Sequence, residues 1–115
     1  MAQPTIDRAT FDELKGTAGA EFVVELVDTF LAEAPTLLDT LRRSLATRSA
    51  DEFRRAAHSL KSNSNTFGAL TLGAMAKELE LTGLAPALEA RGATVDALAQ
   101  EYARVAAALT ELKHA

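Results

Sequence analysis

The sequence contains no cysteine among its 115 residues, which excludes disulfide bonds, zinc sites built on thiolates and cysteine nucleophiles. The absence of cysteine also fits a reducing compartment, and we expect a cytoplasmic location. The N-terminal segment MAQPTIDRAT has neither a basic region nor an apolar run, so it does not resemble a signal peptide. Because the chain starts at Met1, we expect a free-standing protein.

Long hydrophobic runs and an excess of positive charge are missing as well. No segment approaches the roughly 18 consecutive apolar residues of a membrane-spanning helix, so we expect a soluble protein without membrane contact. The net charge of −4 provides no basic excess for displacing counterions, and nucleic acid is therefore not expected as a partner. With 48% hydrophobic residues, the chain can form one modest core, and we predict a single domain over residues 1–115.

Strand signals are scarce, and helix-favouring residues fill most of the chain. Aromatic residues account for only 5% of the sequence, whereas alanine, leucine and glutamate are abundant. Apolar residues recur at steps of three and four, which is the spacing of a helix with one buried face. The pattern predicts helices over about Ala20–Thr47, Ala50–Thr66, Ala69–Leu84 and Thr94–Lys113.

Prolines and glycines divide these predicted helices. Pro35 predicts a kink at its own position or a break near Ala34, because proline cannot donate the helical hydrogen bond. Gly68 predicts the end of a helix or a tight turn. Pro86 and Gly92 bracket the last connection. We expect all of the connections between the predicted helices to be short.

Two capping boxes, Thr10–Glu13 and Ser49–Glu52, mark helix starts, since the hydroxyl and the glutamate satisfy each other's free amides. The first predicts a short N-terminal helix that ends in the segment 16–19, although a start nearer Asp7 fits equally well. The second precedes a long periodic segment. Four main helices with one apolar stripe each predict an all-α fold, an antiparallel four-helix bundle with a short additional N-terminal helix.

Few residues in the chain could perform chemistry, and His58 stands out among them. There is no GxxxxGK[ST] phosphate loop and no HExxH motif, and we predict no metal site. The second histidine, His114, is interpreted as a solvated residue of the C-terminal tail. The apolar face of the helix around His58 consists of Phe53, Ala56, Ala57, Leu60, Ser64 and Phe67. At about 100° per residue, His58 projects roughly 150° from the centre of that face and is expected on the surface.

The exposed strip around His58 is mainly cationic and otherwise carries short polar side chains. Its members are Arg54, Lys61 and Ser62 one turn away, followed by Asp51, Arg55 and Asn65. A neutral imidazole is nucleophilic, and a phosphoryl group on it would gain charge-assisted hydrogen bonds from Lys61 and Arg54. An ordinary exposed histidine on a charged helix face is the alternative interpretation.

The stretch AHSLKS over residues 57–62, followed by FGA over 67–69, Leu72 and the pair Leu79-Glu80, resembles the motif of histidine phosphotransfer (Hpt) domains. That motif has a histidine, an apolar residue two positions later, a lysine three positions later and usually a glycine four positions later. The segment FVVELVDTFLAEAPTLLDTL is similar to the family's long second helix, including its proline. The C-terminal apolar seam is similar to the family's last helix.

The resemblance implies a phosphorelay intermediate without kinase activity of its own. His58 would accept a phosphoryl group from the aspartate of one receiver domain and pass it to the aspartate of another. Lys61 would pair with the phosphoryl oxygens, and Glu80 would contact the imidazole. The partners of this monomer would be receiver domains of response regulators or of a hybrid histidine kinase. These receivers would hold the Mg²⁺, so no cofactor of its own is expected.

Ser62 departs from the family pattern, which usually has glycine there and so leaves room for the incoming receiver. Because serine is small, we expect it to be tolerated with altered partner affinity. The receiver docking surface is predicted to include Arg54, Arg55, Ser62 and Asn65. The alternative function is a non-phosphorylated helical binding module that sequesters a receiver or another protein. Binding alone would not require a lysine three residues after the histidine.

Overall fold

The computed structural model describes residues 5–83 and 88–113, and within them the chain forms five α-helices and no strand. The helices are α1 (Arg8–Ala18), α2 (Ala20–Thr47), α3 (Ala50–Thr66), α4 (Leu70–Thr82) and α5 (Leu88–Leu112). The prediction of an all-helical chain is confirmed. The predicted bounds of α2 and α3 agree with the structure. Of the other predicted features, Leu84, Pro86 and His114 lie outside the described residues.

The start of α5 differs from the prediction. The helix begins at Leu88 rather than near Thr94, and Gly92 lies inside it instead of in a connection. An isolated glycine costs a helix only about 1 kcal/mol relative to alanine. The neighbouring sequence contains several alanines, which favour helix, so one glycine does not stop it.

The N-terminal helix begins at the earlier of the two predicted starts. The carboxylate of Asp7 accepts a hydrogen bond from the backbone N–H of Thr10 at 3.0 Å, and the Thr10 hydroxyl donates to the same oxygen. Asp7 is therefore the N-cap and Thr10 is not. These hydrogen bonds hold the pKa of Asp7 below its usual value. Gly16 stays within α1, and Gly19, with φ of +97°, separates α1 from α2.

The second capping box, Ser49–Glu52, marks the start of α3 correctly, but the predicted side-chain hydrogen bond of Ser49 is not formed. Ser49 occupies the N-cap position of α3, but its side chain makes no capping hydrogen bond. Its hydroxyl lies 2.8 Å from the hydroxyl of Thr47 instead. The competing hydroxyl at the end of α2 explains the difference, since a serine side chain readily bonds to whichever local partner is nearest.

The predicted break near Ala34 is wrong, because α2 runs through Pro35 without interruption. Pro35 has no N–H, so the carbonyl of Leu31 loses its helical donor. The Tyr102 hydroxyl of α5 donates to that carbonyl at 3.4 Å and supplies a substitute. The Pro35 ring is exposed while Ala34 is fully buried. Packing against α5 thus stabilises a continuous helix; a kink at Pro35 stays a prediction.

Helices α2 to α5 pack in a closed ring, since α2 contacts α3 and α5, and α4 contacts the same two helices. The short helix α1 contacts α2 and α3. Burial of each large apolar side chain contributes about 1.5–3 kcal/mol. Fully buried large side chains come from every helix: Phe11, Val23, Val27, Leu41, Phe53, Leu60, Leu72, Leu79, Val95, Leu98, Val105 and Leu109. The apolar face predicted for α3 is buried at all six positions and is confirmed.

The turn between α3 and α4 is built on Gly68, as predicted. Its φ is +84°, a left-handed conformation that favours glycine. The carbonyl of Gly68 accepts a hydrogen bond from the Asp7 N–H at 2.8 Å, and a Cβ at Gly68 would lie 2.7 Å from the Asp7 carbonyl oxygen. The start of α1 is therefore fixed on this turn, which returns the chain so that α4 packs along α3.

Candidate phosphotransfer site

His58 lies on the solvent side of α3, and 58% of its side chain is exposed. The neighbouring residues Ala57 and Leu60 are buried, so the phase of the helix alone directs the imidazole away from the core. The predicted surface position of His58 is confirmed.

Glu80 of α4 bridges His58 and Lys61. One carboxylate oxygen, Oε2, lies 2.6 Å from His58 Nδ1, and the other, Oε1, lies 2.7 Å from Lys61 Nζ. The exposed fractions are 18% for the Glu80 side chain and 25% for that of Lys61. A charge-assisted pair with this little exposure holds its geometry better than one in open solvent. The three residues form one connected polar cluster across α3 and α4.

The carboxylate of Glu80 determines which nitrogen of the imidazole is available. The hydrogen bond from Lys61 is the main cause that lowers the pKa of Glu80, and it outweighs the opposing effect of desolvation. The hydrogen bond and charge of His58 act in the same direction as Lys61. An ionised carboxylate only accepts hydrogen bonds, so Nδ1 must carry the proton. In the neutral ring Nε2 then bears the lone pair and is the nucleophilic atom.

The other predicted site residues are not all brought to His58. Arg54 pairs with Asp51, with Nη2 2.8 Å from Oδ1, and both side chains are exposed. Asn65 packs against α4, because a Cβ at Gly73 would lie 2.8 Å from Asn65 Cγ. Glu80 contacts the ring directly, as the family resemblance implied.

The opposite side of His58, toward α2, is an open groove. A cavity of about 500 Å³ beside the imidazole is lined by Ala32, Glu33, Thr36, Leu37, His58, Ser59, Ser62 and Asn63. Ser62 of the predicted docking surface lines this cavity. Arg55 lines a neighbouring cavity of about 390 Å³ between the same two helices. Sequence reasoning missed the α2 wall, although partly buried Leu26 and Leu37 and exposed Glu33 recur along one face of that helix.

In the part of the chain that the structure describes, no group of three or more acidic, histidine or cysteine residues could hold a metal ion. None of the helices in residues 5–83 and 88–113 combines the length and the apolar character needed to cross a membrane.

The family model of the Hpt domain matches residues 25–108, which span the site and most of the helices around it. The chain belongs to the Hpt domain family. A solved structure that it resembles is the histidine-containing phosphotransfer protein B (HptB) from Pseudomonas aeruginosa PAO1. The TM-score is 0.87 at 27% sequence identity, and the match covers 98% of this chain and 97% of that one. A search of curated protein sequences gives no match.

Hpt domains act as phosphotransfer intermediates in two-component phosphorelays, where they interact with receiver domains and histidine kinases. Membership of this family supports the phosphotransfer role that the sequence motif implied. It also agrees with the all-helical architecture.

Proposed function

We propose that this Hpt protein relays a phosphoryl group between receiver-domain aspartates through His58. The observation that carries the proposal is the bridge of Glu80 to both His58 Nδ1 and Lys61 Nζ beneath an exposed imidazole. Lys61 and Glu80 together prepare one ring nitrogen for attack. An ordinary surface histidine would need neither residue.

In the proposed step, the lone pair of His58 Nε2 attacks the phosphorus of an aspartyl phosphate on the partner. The bond between phosphorus and the aspartate oxygen breaks, and the carboxylate leaves with its electron pair. The imidazole becomes positively charged, and the Glu80 carboxylate at Nδ1 stabilises that charge. Lys61 pairs with the phosphoryl oxygens. Transfer to the second receiver is the same step in reverse.

The receiver partner would supply the metal ion and the acidic residues for the transfer. We propose that receiver domains of response regulators or of a hybrid histidine kinase hold the Mg²⁺ and the acidic cluster. The Hpt protein then needs no cofactor and has no kinase activity of its own. We infer a cytoplasmic monomer of one domain, folded as an antiparallel four-helix bundle with α1 packed at one end.

We propose that the receiver docks over the groove between α2 and α3. Short side chains at Ser59, Ser62 and Asn63 line the groove beside His58 and leave room for a second protein. Ser62 replaces the usual glycine and narrows this space by one hydroxymethyl group. Arg55 lines the same groove. Arg54 and Asn65 lie outside the groove and would contact the rim of the docked receiver.

The second candidate function is a binding module that is never phosphorylated. The groove would suit either function. The connected cluster of His58, Lys61 and Glu80 favours phosphotransfer, because holding an ionised carboxylate against an imidazole contributes nothing to capture of a partner.

The test is transfer of labelled phosphate from phosphorylated receivers to wild type and to His58→Gln. We expect wild type to gain acid-labile, alkali-stable phosphate and the variant to gain none, with both equally helical by circular dichroism. Equally low labelling of both proteins by every receiver, including those from the same genome, would overturn phosphotransfer. Unlabelled binding of a receiver by both proteins would instead support the binding module.

A further inference from the structure

The cavity beside His58 is the middle of a longer groove. A cavity of about 130 Å³ shares Glu33 and Asn63 with it on one side. The cavity of about 390 Å³ shares Leu37 and Ser59 with it on the other. On α2 the combined groove extends from Leu26 to Thr40, which at 1.5 Å per residue is roughly 21 Å. A partner helix of about four turns would fill that length.

The charged residues of this groove are few and unevenly placed. At one end Glu52 and Arg55 carry opposite charges and offset each other. In the middle, Glu33 lines both the central cavity and its smaller neighbour. Among the described residues, Glu33 forms no ion pair, and its side chain is exposed. The groove therefore carries one uncompensated negative charge near its centre.

A partner that covers the groove must remove water from this carboxylate. Burial of an unpaired carboxylate is costly, whereas burial against a positioned cation is offset by a charge-assisted hydrogen bond. Lys61 lines neither of the cavities that Glu33 lines, and it is paired with Glu80. Discrimination between related partners commonly uses such a group, because it rejects a partner that leaves it unpaired.

We propose that Glu33 is a specificity-determining residue of this Hpt protein and selects receivers that present a lysine or arginine to the centre of the groove. The inference rests on the proposed function, since it assumes that a receiver docks over His58. A receiver with a neutral or acidic side chain at that point binds more weakly.

The test compares Glu33→Gln and Glu33→Lys with Asp39→Asn, a matched control. Asp39 is an exposed α2 residue outside the three cavities, and its substitution changes the net charge by the same amount as Glu33→Gln. We expect the second-order rate of transfer from a receiver active on wild type to fall about tenfold in Glu33→Gln and further in Glu33→Lys. Asp39→Asn should stay near wild type. The rate for Glu33→Gln should also depend less on salt.

Two further arms separate the possible failures. Phosphoramidate, a small phosphoryl donor, should phosphorylate all of these variants at the wild-type rate, because it needs no docked partner. A receiver with one docking lysine or arginine changed to glutamate should recover transfer to Glu33→Lys. If wild type, Glu33→Gln and Asp39→Asn accept phosphate from the receiver at equal rates, the role of Glu33 is overturned and the proposed function is not. If no receiver transfers phosphate to wild type, the proposed function is overturned, and this inference with it.

Discussion

On the α4 side of His58, the imidazole contacts a carboxylate at 2.6 Å, and that carboxylate is held in turn by Lys61 at 2.7 Å. On the α2 side, the same ring borders a cavity of about 500 Å³ with short polar side chains along its wall. One side is filled and connected by hydrogen bonds, and the other is open. We infer from this contrast that the two sides have different functions. The α4 side prepares the imidazole as a nucleophile, and the α2 side is where the receiver docks.

This division predicts that variants on the two sides fail in different ways. A change on the α2 side should affect transfer from a receiver but not phosphorylation by a small donor. A change on the α4 side should slow both reactions. The ratio of the two rates therefore separates docking from chemistry.

The largest effect is expected for Ser62→Arg on the α2 side. The long side chain would occupy the groove beside His58 and exclude the receiver, so we expect transfer from a receiver to fall at least a hundredfold. Ser62 is exposed, and the fold should be unchanged by circular dichroism. Phosphorylation by phosphoramidate serves as the internal control and should persist. Transfer at the wild-type rate would mean that the receiver approaches elsewhere.

Glu80→Ala should have the next largest effect, on the α4 side. Loss of a hydrogen bond to a charged group costs about 1.5–3 kcal/mol, which corresponds to roughly a 10- to 100-fold lower rate. Both the receiver and phosphoramidate should show this loss. Glu78→Ala is the matched control, because Glu78 is an exposed acidic residue of the same helix. If the two variants react equally fast, Glu80 does not prepare the imidazole.

The stability contribution of Glu80 should depend on pH. Folding lowers the pKa of this carboxyl below its ordinary value of 4.5, mainly through the hydrogen bond from Lys61. The contribution is therefore complete above the unfolded value and is lost as the pH falls through the folded one. Chemical denaturation should show wild type more stable than Glu80→Gln at neutral pH, with the difference shrinking below pH 4.5. A difference that grows on acidification would contradict the assigned contacts.

The smallest effect is expected for a change in stability at Tyr102, which lies on α5 and contacts α2. Tyr102→Phe removes the donor to the Leu31 carbonyl that Pro35 leaves free, at an expected cost of about 0.5–1.5 kcal/mol in the free energy of unfolding. The ring contact to Phe30, at 5.9 Å between centroids, should remain. Transfer rates should be unchanged. Wild-type stability in the variant would show that solvent satisfies the Leu31 carbonyl equally well.

The helices could be predicted from the sequence better than their interruptions. Apolar spacing placed α2 and α3 correctly because burial of one face dominates their stability. The predicted connection at Gly92 lies within α5, and α2 shows no break near Ala34 although Pro35 follows it. A single helix breaker is tolerated where its neighbours compensate, and the bond from Tyr102 to Leu31 links residues 71 positions apart. No local pattern contains that information.

The site shows the same limit. Helix phase alone predicted that His58 is exposed, because exposure depends on residues of one helix. The contact with Glu80 spans 22 residues and depends on how α4 packs along α3, so only the family resemblance indicated it. Glu33 was missed for the same reason, since a groove between two helices is a property of their packing.

The central claim is that Glu80 holds the proton on His58 Nδ1 and leaves Nε2 to take the phosphoryl group. Nuclear magnetic resonance of the protein labelled with ¹⁵N in its histidines, after phosphorylation by a receiver, identifies the modified nitrogen directly. We predict coupling of phosphorus to Nε2 of His58, with the proton retained on Nδ1. Coupling to Nδ1, or phosphate on a residue other than His58, would contradict the account.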